Sequence, residues 1–174
     1  MITRNIHALL VASLLVAVLI PMSVSAQSNF TCSVKGSSFN GKIKEAVLVQ
    51  INKEKFIQLN VVDGDKILYL YIKTSKINDL PVTLNYVQPD TNNIAPESEI
   101  IWAPDGPENP QWNAVEGKTL ITEFDPEKKI ISGSFEFKVE KFDYTSDVNQ
   151  SRPSMEITDG KFTNITYKVE APGK

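Results

Sequence analysis

Four carboxylates, Glu97, Glu99, Asp105 and Glu108, crowd one stretch of the chain together with two tryptophans, Trp102 and Trp112. Two acids facing each other across a cleft can hydrolyse a glycosidic bond, one as acid and the other as base or nucleophile. This group is therefore the one enzymatic route the residue types leave open, although acids in exposed loops are ordinarily just solvated. The tryptophans point to a different chemistry. An indole has apolar faces and a polar edge, which suits sugar rings and peptides. With Asp105 and Asn109 able to hydrogen-bond hydroxyls and amides beside them, Trp102, Trp112, Asp105 and Asn109 form the candidate ligand-binding set. The competing role is anchoring, because large aromatics are mostly buried. The flanking residues divide the pair. Trp102 follows Ile100-Ile101 and is expected inside, whereas Trp112, between Gln111 and Asn113, is expected outside.

Other catalytic chemistries lack their residues. The single histidine is His7 and the single cysteine is Cys32. Nucleophilic triads need a base that titrates near neutrality, and the common zinc sites need several His or Cys ligands. There is no phosphate-cradling glycine loop, dinucleotide fingerprint or nucleophile elbow. Asp63-Gly64-Asp65 has neither the spacing nor the closing Glu of a calcium loop, and Asp-Gly is a hairpin-turn signal. No catalytic residue, metal or cofactor is expected, and the chain reads as a non-enzyme.

The N-terminus supplies an address. Arg4 is followed by an uncharged apolar run, Ala8 to Ile20, then Pro21 and the small-residue site Val24-Ser25-Ala26. These are the parts of a cleavable signal peptide, residues 1–26. The run of 13 residues is short of the roughly 20 that a membrane-spanning helix requires. The expected mature protein is a single domain, residues 27–174. It would have no stable membrane span and would be periplasmic, outer-envelope associated or extracellular. Its 17 basic and 21 acidic residues alternate along the chain, leaving no basic patch for nucleic acid. A lone cysteine allows no internal disulfide, so Cys32 reads as a small buried hydrophobe.

These groups must be positioned by strands. Residues 134–140 alternate Phe135, Phe137 and Val139 with Glu136, Lys138 and Glu140, a strand with one wet face. Residues 67–72 are apolar on both faces, as in a strand covered twice. Further strands are predicted over 30–35, 45–52, 56–62, 82–87, 98–103, 118–125 and 162–170. Turns are predicted at Asp63-Gly64, Asp125-Pro126 and Asp159-Gly160, with a helical turn at 75–80 ended by Pro81. The segment from Pro89 to Pro110 holds five of the ten prolines and reads as a long, ordered loop, a common place for function. The pattern implies an antiparallel β-sandwich, or a barrel-like relative, of roughly eight to ten strands.

Three stretches carry a resemblance: F-x-C-x-V-x-G at Phe30 to Gly36, I-S-G-x-F-x-F at Ile131 to Phe137, and I-T-x-G-x-F from Ile157 to Phe162. In this order the chain resembles a family of small uncharacterised Bacteroidetes envelope and secreted proteins. The resemblance implies an all-β exported domain and carries no activity or site residues. The expected function is a non-catalytic binding module for a glycan or protein partner. A structural subunit assembling through a sheet edge, or a carboxylate hydrolase, are the alternatives.

Overall fold

The computed structural model describes residues 28–89, 95–142 and 152–169, and 69% of these lie in strands. The strands are β1 (Asn29–Val34), β2 (Ser37–Phe39), β3 (Lys42–Ile51), β4 (Glu54–Asp63), β5 (Lys66–Lys73), β6 (Val82–Asn85), β7 (Ser98–Ala103), β8 (Trp112–Asp125), β9 (Ile130–Lys141), β10 (Ser154–Thr166) and β11 (Lys168–Val169). They form one sheet in the order β11-β3-β4-β5-β7-β8-β9-β10-β1-β2, with β6 also paired to β8. The two separate sheets of a sandwich are not formed, because β7 pairs with β5 on one side and β8 on the other. Nor is the sheet purely antiparallel: β11 runs parallel to β3. The result is a curled, mixed sheet, a half-barrel.

The chain itself requires the curl. β2 and β3 lie near opposite ends of the pairing order, yet only Asn40 and Gly41 separate them in sequence. The concave face is the core. Ile57, Leu59 and Val61 of β4, Leu68, Leu70 and Ile72 of β5, and Ile100 of β7 are each 0% exposed there. Phe39 of β2 meets Trp102 of β7 across this interior, ring centroids 5.2 Å apart and edge to face. On β9 the predicted alternation is observed: Phe135, Phe137 and Val139 are buried, Glu136 is exposed, and Lys138 and Glu140 are partly exposed.

Three glycines shape the β8–β10 region. Gly117 stands opposite Phe137, Gly133 opposite Phe162 and Gly160 opposite Phe135. In each pair the ring lies over the glycine, in space that a Cβ would need, an arrangement that shields strand glycines with aromatic surface. This is the physical content of the G-x-F spacing in the sequence. Two buried hydroxyls, Ser98 and Thr119, are satisfied by each other and the backbone. The Ser98 hydroxyl donates to the Tyr71 carbonyl (3.1 Å), so at 2.6 Å Thr119 donates its own proton to Ser98.

Several boundaries differ from the sequence expectation. Asp159-Gly160 is a bulge within the continuous strand β10, not a turn. Asp159 sits at φ 53°, a left-handed conformation that Asp and Asn tolerate better than other side chains. Asn164, at φ 51°, forms a second bulge, and its N–H is taken by the Ser132 hydroxyl at 2.9 Å. The strand predicted over 98–103 is observed as β7, Ser98–Ala103, and it divides the proline-rich stretch from Pro89 to Pro110. The helical turn is a 3₁₀ turn at Thr74–Lys76. Gly64 does turn the β4–β5 hairpin at φ 61°. The Asp125 carboxylate caps its own turn, accepting from Glu127 and Lys128 N–H groups.

Cys32 is buried, and burial pushes its thiol up to about 12, which keeps it protonated and inert. The expected signal peptide, residues 1–26, lies outside the described residues. Among the described residues no helix is long and apolar enough to cross a membrane. At the N-terminal end β1 lies beside β10, with Asn29 opposite Thr163. The Ser28 hydroxyl donates to the Asn164 carbonyl at 2.9 Å.

Candidate functional site

The sequence-derived ligand set is not gathered on one surface. Trp102 lies on the concave face and is 4% exposed. Trp112 pairs directly with it across β7 and β8, so both indoles share that face; directly paired residues of adjacent strands always do. Trp112 is half-buried against the core. The pair therefore does not divide into an inner and an outer member. Asp105 and Asn109 are exposed in the turn between β7 and β8, where the Asn109 side-chain amide donates to the Asp105 carbonyl.

The four carboxylates do not converge either. Glu97 is occupied at the start of β7: Oε1 pairs with Lys76 Nζ at 3.2 Å, and Oε2 accepts from Asn85 N–H at 3.2 Å. Asp105 and Glu108 lie beyond the far end of the strand. The span from Glu99 to Ala103 alone covers about 13 Å at ~3.3 Å per residue. Of the four, Glu99 lines a pocket among the described residues.

That pocket arises from a detail of topology. β6 and β7 both pair with β8, β6 at Lys118–Ile121 and β7 at Trp112–Asn113, while β9 pairs with β8 along its whole length. β6 and β7 thus stand in tandem along one edge of β8, and the described residues between them, 86–89 and 95–97, lie outside the strands. Pro89, Ala95 and Pro96 from these residues lie over the outer, convex face of the central strands. Beneath them are Phe56, Tyr71, Glu99 and Ile101, and Ile51 closes the side. The register confirms the shared face: Tyr71 pairs with Glu99, and Tyr69 with Ile101. Together they line an open pocket of about 290 Å³, at the small end of ligand pockets. A hollow of about 350 Å³ over β8–β10 differs in kind, being edged by Lys118, Glu136 and Lys161. Two of those charges already pair, Lys118 with Glu136 at 2.9 Å.

Glu99 is half-buried, and among the described residues it has no hydrogen-bond or ion-pair partner. The nearby bases are committed elsewhere, Lys73 to Glu54 at 3.2 Å and Lys76 to Glu97. Burial therefore raises the Glu99 pKa above its ordinary value. Burial also raises Tyr71 and Tyr86, and the Glu99 charge adds to both shifts. Beside the pocket, on the same face, Asn60 pairs with Tyr69 and Ile101 with Asn113. The side-chain oxygens of Asn60 and Asn113 are buried without partners.

No protein family, characterised protein or solved structure matches this chain. The site therefore rests on its own geometry. One signal for it was present in the sequence. Residues 67–72 are apolar on both faces, so the outer one calls for cover, and at Tyr71 the pocket walls of Pro89, Ala95 and Pro96 lie beside it.

Glu99 yields a pH test. An acid with a higher pKa folded than unfolded binds its proton more tightly when folded, so stability falls as pH rises past the unfolded value. That value is about 4.3 for glutamate. Glu99→Gln is expected to match the wild-type Tm below about pH 4 and to exceed it at pH 7. A Tm difference independent of pH would show the carboxyl to be fully solvated.

Proposed function

We propose that the protein is an exported, non-catalytic binding module whose partner docks in the Glu99 pocket on the convex face. The observation that carries this is a preformed apolar cavity holding one carboxyl with no partner of its own. Binding sites of this kind combine apolar walls with few, well-placed polar groups. Leaving such a carboxyl unpaired costs the fold, and a ligand that pairs it recovers that cost. The export half of the proposal rests on Arg4, the Ala8–Ile20 run and Val24-Ser25-Ala26, and puts the module in the envelope or outside the cell.

A protein partner fits better than a glycan. A sugar needs several hydrogen-bonding groups around its ring, and Glu99 and Tyr71 are the polar side chains among the eight described residues around the cavity. Assembly through a sheet edge is less favoured. β2 is three residues long, and the β3 edge carries Lys42, Lys44 and Glu45 and is covered by β11 at Val47–Leu48. Short, charged edges resist strand addition.

The test is a titration of the domain with pentylamine, pentanol and pentanoate, read at the Ile51 and Ile101 methyl resonances. At least one compound is expected to shift both, and Ala95→Phe, which fills the cavity, is expected to abolish the shifts. No response from any compound, or shifts that survive Ala95→Phe, would overturn the assignment.

A further inference from the structure

The geometry points to a lysine side chain of a protein partner as the group that enters this pocket, its ammonium on Glu99 and its stem along Phe56, Ile101 and the proline wall. This rests on the pocket being the binding site. The unpartnered group decides the ligand's polarity. Glu99 is a half-buried carboxyl with no hydrogen-bond or ion-pair partner among the described residues. An acid set among apolar walls calls for a cationic donor. A lysine ammonium offers three N–H donors and no acceptor.

The walls decide what carries that charge. Phe56 and Ile101 are apolar, as are Ile51, Ala95 and the two prolines, and the four methylenes of lysine bury readily along such surfaces while the charged end reaches a polar tip. Tyr71, cross-strand neighbour of Glu99, sets an aromatic ring beside the position of the ammonium, and such rings attract cations through their faces. The volume, about 290 Å³, suits one long side chain rather than a folded segment. No lysine is among the described residues lining the pocket, and Lys73 and Lys76 are paired with Glu54 and Glu97.

The experiment compares Nα-acetyl-lysine methylamide with the norleucine analogue, which keeps the stem and loses the charge. Binding is followed at pH 7 through the Ile51 and Ile101 methyl resonances. The lysine compound is expected to bind at least about tenfold more tightly, the worth of one charge-assisted hydrogen bond. Glu99→Gln is expected to remove that advantage, and an unchanged circular dichroism spectrum shows the variant folded. Equal binding of the two compounds to the wild type, or a lysine preference that survives Glu99→Gln, overturns the ammonium assignment and leaves the pocket as a binding site. If neither compound shifts either methyl, the pocket assignment falls with it.

Discussion

Trp102→Ala is expected to destabilise the domain by about 3–5 kcal/mol, the usual cost of truncating a buried large aromatic. The indole is 4% exposed, pairs with Leu68 on β5 and Trp112 on β8, and receives the Phe39 ring edge to face at 5.2 Å. Its removal would empty space where strands from distant parts of the pairing order meet, and a sheet this continuous cannot collapse locally to fill it. The readout is thermal unfolding by circular dichroism, with a Tm loss on the order of 10 °C. Trp112→Ala is expected to cost clearly less, because that ring is half-exposed. An unchanged Tm for Trp102→Ala would place the indole on the surface and restore it as a ligand contact.

Phe135→Ala is expected to have an effect of the same size, about 3–5 kcal/mol, for a different reason. Phe135 is the hub of an aromatic cluster: its ring lies 5.3 Å from Phe30, 6.4 Å from Phe137 and 6.4 Å from Phe162. It also covers Gly160, its cross-strand partner. Truncation leaves a cavity and uncovers a glycine in a bulged strand. The neighbouring Glu136→Ala removes an exposed ion pair with Lys118 and is expected to change stability by no more than about 0.5 kcal/mol. Denaturant unfolding of the two variants would check the contrast, and comparable losses from both would contradict the one-sided burial of β9.

The alternation of Phe135, Phe137 and Val139 with charged residues was enough to place β9 and its buried face, because side-chain direction in a strand is local. Whether the strands make one sheet or two was not legible. That depends on β7 hydrogen-bonding to both β5 and β8, and backbone pairing between distant strands leaves no mark in the side-chain pattern. Asp159-Gly160 was misread for a related reason: the same dipeptide serves a turn or a bulge, and only pairing with β9 decides which. The tryptophans were separated by their neighbours in sequence, whereas their common face follows from cross-strand register. Glu99 stood among the acids of interest, and the strand predicted over 98–103 already set it apart from Asp105 and Glu108; its half-burial beside Tyr71 depended on the pairing of β7 with β5. The pocket itself comes from β6 and β7 standing in tandem, a relation of topology alone.

The pairing of β1 with β10 bears on the order in which the sheet can assemble. Asn29 finds its partner in Thr163, so the first described strand and the last long one meet only when nearly the whole chain is present. Contacts of such sequence separation carry a large loop-closure cost and form slowly. The hairpins β3–β4 and β4–β5 can form early, but the core under Phe30 stays open until β10 arrives. A chain delivered N-terminus first can therefore pair β1 with β2 early but leaves its other edge open until Ser154–Thr166 has emerged.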